Sequence, residues 1–125
     1  MNGRTKILLV DDSRTALMMS QMILRKYPSV VVISAEDGEQ AVRKAEAEKP
    51  DLILMDVVMP KMDGFEAVRR IRSSPLGAEI PIIMVTTRGE VPNVEKGFES
   101  GCNDYVMKPV DSAELVSKIR NYVAI

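Results

Sequence analysis

Five short apolar runs, at residues 7–10, 30–33, 52–55, 82–85 and 105–107, each precede a helix-like segment. The runs are mostly continuous rather than alternating, so each strand must be covered on both faces. Strands of that kind, alternating with helices five times over, predict an α/β chain with a parallel sheet and helices on both sides. Three helix starts are marked by a short acidic residue with a longer polar one three places on: Asp37 with Gln40, Asp63 with Glu66, and Asp111 with Glu114. Each reads as a capping box, in which two side chains satisfy backbone N–H groups reciprocally. Pro75 and Gly77 end the third helix, and Gly101 closes the fourth. No repeat or linker divides the chain, and its 125 residues suit one domain.

Totals narrow the function. A net charge of −1 gives no basis for binding nucleic acid or an anionic membrane. No apolar run is long enough to span a bilayer. The single cysteine, Cys102, cannot form an internal disulfide, which suits a reducing cytoplasm.

In a parallel sheet of this kind, ligands bind beyond the carboxyl ends of the strands. Asp11 and Asp12 follow the first run, Asp56 the third, Thr86 and Thr87 the fourth, and Lys108 with Pro109 the fifth. The second run leads only into Ser34, Ala35 and Glu36. Adjacent carboxylates repel, and three aspartates against one lysine leave a double negative charge. One Mg²⁺ would neutralise it, using Asp11, Asp12, Asp56 and a backbone carbonyl near Val58 as oxygen ligands. A carboxylate so held is a plausible nucleophile toward phosphorus, giving an aspartyl phosphate. Metal, Lys108 and the Thr86 hydroxyl would steady the phosphoryl oxygens. Each residue alone has a plainer role: Asp12 or Ser13 as a helix cap, Thr86 as a structural strand end, Lys108 as a solvated charge. Their convergence on one sheet edge favours the site.

The segments "LLVDDS", "PDLILMDVVMPKMDG", "PIIMVTT" and "GCNDYVMKPV" together resemble a response regulator receiver domain of the CheY-like kind. The resemblance runs from Lys6 to about Tyr122, with successive spacings of 44 from Asp12 to Asp56, 30 from Asp56 to Thr86 and 22 from Thr86 to Lys108. It implies a flavodoxin-like, doubly wound sheet of five parallel strands in the order 2-1-3-4-5 with five helices. It also implies that Asp56 is the phosphoacceptor and that Asp11, Asp12, Asp56 and the Val58 carbonyl hold Mg²⁺. Thr86 becomes the switch hydroxyl, Lys108 the phosphoryl contact, Tyr105 an aromatic that changes rotamer, and Lys108–Pro109 a cis peptide. The domain would take its phosphoryl group from a sensor histidine kinase or histidine phosphotransfer protein and catalyse only its own phosphorylation and dephosphorylation. Its α4-β5-α5 surface would then regulate a downstream protein target.

The chain has no histidine, so the phosphoryl donor must be another molecule. Thr87 stands where the family commonly has a smaller residue, and Val58 offers no side-chain hydrogen bond to an attacking water; both bear on the lifetime of the phosphorylated state. The fourth helix reads as weak and mobile: Val91, Val94 and Phe98 share a face, but Pro92 and Gly97 interrupt it. The first helix is overloaded, with seven apolar residues from Ala16 to Leu24. Met19 and Ile23 read as core, leaving Leu17, Met18 and Met22 outside as a docking patch. Starting at a methionine and ending past the fifth helix, the chain reads as a stand-alone regulator in chemotaxis or motility.

Three rivals remain. A haloacid-dehalogenase-like phosphatase wants D-x-D at its nucleophile, where this chain has "DVV". A flavodoxin wants a phosphate-cradling first loop, where this chain has the acidic "DDSRTA". A receiver-like interaction module acting without phosphorylation is the alternative function.

Overall fold

The apolar runs become strands whose alternate residues feed two separate cores. The computed structural model describes residues 4–87 and 94–125. Strands β1 (Thr5–Val10), β2 (Val30–Ala35), β3 (Leu52–Asp56), β4 (Ile82–Thr87) and β5 (Asp104–Lys108) pair in parallel in the order β2-β1-β3-β4-β5. Helices α1 (Arg14–Leu24), α2 (Gly38–Glu48), α3 (Gly64–Ser73), α4 (Val94–Ser100) and α5 (Ser112–Arg120) follow the strands in turn. Leu8, Val10, Ile53, Met55 and Met84 pack with Ala41, Phe65 and Ile71 in one core. Ile7, Leu9, Leu54, Ile83 and Val85 pack with Leu17, Leu24 and Leu115 in the other. That division is why the runs do not alternate in polarity.

The helix starts are capped as expected, but the reciprocal half of each box differs. Asp37 and Asp63 accept from the backbone N–H of Gln40 and Glu66, whereas Asp111 accepts from Ala113. Gln40 reaches back one residue beyond the cap, to the N–H of Glu36. Glu66 and Glu114 are instead drawn to cations one turn on, Arg69 and Arg70 for the first and Lys118 for the second. Helical neighbours of opposite charge compete for the same carboxylate. Gly101, at φ 116°, ends α4 in the left-handed region, as its residue type predicts.

The inward face of α1 corrects the sequence reading. Leu17 is buried with Leu24, while Met19 is exposed beside Met18 and Met22. Ile23 is half-buried against the core, as expected. With so many apolar residues, composition left the inner face undetermined, and the position of β1 and α5 selected it. On α4, Phe98 is half exposed and packs its ring on Tyr105, with centroids 5.4 Å apart. Arg88, Val91 and Pro92, and the side chains of Thr87, Val94 and Gly97, lie outside the described residues, as does the rest of the reading of a weak, mobile fourth helix.

Arg72 ties α3 to the start of β5. Its guanidinium donates to the carbonyls of Gly101 and Gly77 at 2.9 and 2.7 Å and to Asn103 Oδ1 at 2.8 Å. That same Asn103 oxygen accepts from the N–H of Ile82, fixing the entry of β4. Arg72→Ala should lower stability by about 2–3 kcal/mol, since it leaves part-buried carbonyls without their donor. Urea unfolding checks this; a loss below about 0.5 kcal/mol would reduce the clamp to a surface contact.

Candidate functional site

The polar strand ends belong more fully to the sheet than the apolar runs suggested. Asp56 is the last residue of β3, Thr86 and Thr87 lie within β4, and Lys108 closes β5. The ladder continues through them, pairing Asp56 with Val85, Thr86 with Met107 and Thr87 with Lys108. Backbone pairing is indifferent to the polarity of the side chain, so the strands outlast their apolar residues. Asp11 follows β1 and donates its N–H to the Ala35 carbonyl, which holds the β1–α1 turn against β2.

Ser13, not Asp12, is the N-cap of α1, accepting from the N–H of Ala16. Asp12 is therefore not consumed as a cap and stands exposed at the mouth of the site. Asp11 is buried, with Oδ1 accepting from the N–H of Ser13 at 2.9 Å. Its Oδ2 receives the Lys108 ammonium at 3.0 Å, and the same ammonium lies 3.4 Å from Asp56 Oδ1. Asp11, Asp12 and Asp56 each bring one carboxylate oxygen within 4.8 Å of the others. Three hard oxygen donors at that spacing, two buried and one exposed, fit a small divalent cation such as Mg²⁺ that keeps some of its waters. Val58 lies in the loop after β3, with its side chain exposed. Lys108 and Pro109 are joined by a cis peptide bond.

The electrostatics follow from burial. Desolvation first, then the charge of Asp11 and more weakly that of Asp12, push the Asp56 carboxyl up to about 7 despite the opposing Lys108. Burial alone would lower the Lys108 ammonium, but its hydrogen bond to Asp11 and the charges of Asp56 and Asp11 raise it instead. Lys108 thus stays cationic while Asp56 is held in reserve, and a cation among the three carboxylates would reverse the position of Asp56.

Thr86 is fully buried, with its pairing residue Met107 two places beyond Tyr105 on β5. Tyr105 is buried beneath Phe98. Sequence reasoning brought these residues to one edge but missed two participants. One is Gly64, whose N–H donates to Val57 at 2.8 Å and which lets α3 start directly against the Asp56 backbone. A glycine straight after the Asp63 cap was the available signal. The other is a cavity of about 160 Å³ between α1 and the β5–α5 turn, reached by Asp11 and Lys108. No linear motif encodes that gap.

The sequence profile of the response regulator receiver domain matches residues 7–120. The chain is 40% identical over 115 residues to the alkaline phosphatase synthesis transcriptional regulatory protein PhoP of Bacillus subtilis, covering 92% of this chain and 47% of that one. It therefore spans about half the length of that relative. Protein PilH of Pseudomonas aeruginosa is 39% identical over 119 residues, which cover 95% of this chain and 98% of PilH. A crystal structure of the receiver domain of the Pseudomonas aeruginosa sensor histidine kinase PA1611, with a magnesium ion coordinated in its active site cleft, superposes with a TM-score of 0.88. That match has 36% identity and covers 95% of this chain and 97% of that domain.

Proposed function

The chain belongs to the response regulator receiver domain family of two-component signalling, and from that premise we propose that it is a switch phosphorylated on Asp56 in a Mg²⁺-dependent reaction. The observation that carries this is the meeting of Lys108 with Asp11 and Asp56 at 3.0 and 3.4 Å, beside the third carboxylate of Asp12. Asp11, Asp12, Asp56 and the Val58 carbonyl would hold the cation, which when bound supplies positive charge to the phosphoryl oxygens. A carboxylate oxygen of Asp56 attacks the phosphorus of a phosphohistidine on a sensor kinase or phosphotransfer protein. The new O–P bond forms as the N–P bond breaks, and the imidazole leaves with the bonding pair. Lys108 turns from the carboxylates to a phosphoryl oxygen, and the Thr86 hydroxyl donates to another.

The switch would then run through β5. Thr86, drawn toward the phosphoryl group, alters the space beside Tyr105, whose ring is coupled to α4 through Phe98. The population shifts between two arrangements of the α4-β5-α5 surface, and a downstream protein reads the difference. The domain, taken as one unit over residues 1–125 in a cytoplasmic setting, would catalyse only its own phosphorylation and dephosphorylation. No helix among the described residues is long and apolar enough to cross a membrane.

Incubation with acetyl phosphate and Mg²⁺ tests the reading by intact mass. One phosphoryl addition is expected on the native chain, and none with chelator or on Asp56→Asn. An equal addition on the variant would move the acceptor elsewhere. No addition under any condition would leave an interaction module that acts without phosphate.

A further inference from the structure

We propose that Met18, Met19 and Met22 form a methionine-oxidation site that controls phosphoryl transfer from protein donors, a regulation that rests on the receiver reading above. The thioethers divide sharply by exposure. Met18, Met19 and Met22 are 59%, 57% and 58% exposed, all within α1. Met55, Met59, Met62 and Met84 are buried, and Met107 on β5 is exposed to a lesser degree, at 36%. Oxidation follows access, so among the described methionines the three on α1, the most exposed, should react first. The other oxidisable sulfur is protected twice over. Cys102 is buried, and desolvation pushes its thiol up to about 11, so little reactive thiolate forms near neutral pH.

The oxidant is a hydroperoxide. A sulfur lone pair attacks one peroxide oxygen, the S–O bond forms and the O–O bond breaks. The departing hydroxide takes a proton and leaves as water, or as an alcohol from an alkyl hydroperoxide. Sulfur loses two electrons and the peroxide gains them. The product is a polar sulfoxide in place of an apolar side chain, reversible by methionine sulfoxide reductase.

Geometry makes that change matter to a protein donor and not to a small one. Met19 lines the same cavity as Asp11 and Lys108, so the thioether cluster adjoins the proposed phosphorylation site. Met22 lies eight residues after the first residue of α1, about 12 Å along its axis. A protein donor of standard size covers about 800 Å² of its partner, a patch reaching roughly 16 Å from its centre. A donor that delivers a phosphohistidine to Asp56 therefore lies over the first turns of α1. Acetyl phosphate needs none of that surface.

The test uses the whole chain. It is treated with hydrogen peroxide, cleared of oxidant with catalase, and mapped by peptide mass. It is then offered either acetyl phosphate or a phosphohistidine-loaded phosphotransfer protein selected for transfer to the untreated chain. Single-oxygen additions are expected first at Met18, Met19 and Met22. Transfer from the protein donor should slow by about tenfold, with the acetyl phosphate rate unchanged. The triple variant Met18→Leu, Met19→Leu, Met22→Leu should keep its apolar surface and its transfer rate after peroxide. Met18→Gln with Met22→Gln should reproduce the slow transfer without any oxidant. Additions scattered over the buried methionines, equal slowing with both donors, or unchanged protein-donor transfer would each overturn the proposal. If the untreated chain takes no phosphoryl group from acetyl phosphate, the phosphorylation reading fails instead, and the peptide map still decides whether these thioethers are the modified sites.

Discussion

Above neutral pH and in chelator, Asp56→Asn should be more stable than the native chain by roughly a few kcal/mol, while taking up no phosphoryl group. An ordinary carboxyl loses its proton near 3.8, but burial and the neighbouring carboxylates hold the Asp56 proton until about 7. Between those values the folded state binds more protons than the unfolded state. Stability contributed by this group is therefore full at low pH and declines as pH rises toward 7. Above that, the native fold carries the whole cost of a buried, ionised carboxylate beside Asp11. Asparagine keeps the shape and an acceptor for Lys108 but carries no charge. Urea unfolding at several pH values should show the variant's advantage near zero at about pH 4 and complete above pH 7. Adding Mg²⁺ should stabilise the native chain and leave the variant little changed, because ligand binding to the folded state alone adds stability. An advantage that stays constant across pH would mean that packing, not ionisation, sets the cost.

Gly64→Ala should cost about 3 kcal/mol or more and remove phosphorylation along with it. A methyl group at Gly64 would collide with the Asp56 carbonyl oxygen and lie 3.0 Å from both Val57 Cα and Met84 Cε. Two of those three obstacles are backbone, so no rotamer change relieves them. α3 must retreat, and the Asp56 backbone must shift with it. Gly38 makes a gentler approach, with its added Cβ 2.8 Å from the Met62 carbonyl, and Gly38→Ala should cost less. Denaturant unfolding together with the acetyl phosphate assay decides the matter. A Gly64→Ala chain within about 1 kcal/mol of native would show that the β3–α3 junction yields easily.

Features set by neighbours within one turn were legible in the linear chain. The caps Asp37, Asp63 and Asp111 are local, set by residues within one turn, and each stands where it was expected. Their reciprocal partners were not, because Glu66 and Glu114 had cations one turn away that the capping pattern does not count. The carboxylates and Lys108 were legible because a parallel sheet delivers every strand end to the same edge. The face of α1 was not. Leu17 and Met19 are equally apolar, and only the neighbours they meet distinguish them.

The sequence by itself determined the alternation of strands and helices, the parallel sheet, and which polar residues stand at its carboxyl edge. Those properties depend on local period, end signals and the direction that a helical crossover imposes. Motif resemblance supplied the strand order, since runs that are apolar on both faces carry no mark of which neighbour they pair with. The tertiary structure alone decided the rest: the bridging of Asp11 and Asp56 by one ammonium, the raised carboxyl of Asp56, the abutment of Gly64, and the exchange that buries Leu17 and turns Met19 to solvent beside Met18 and Met22. Each depends on distances between residues far apart in the chain, such as the 97 positions between Asp11 and Lys108, and burial acts on charge only once those distances are set.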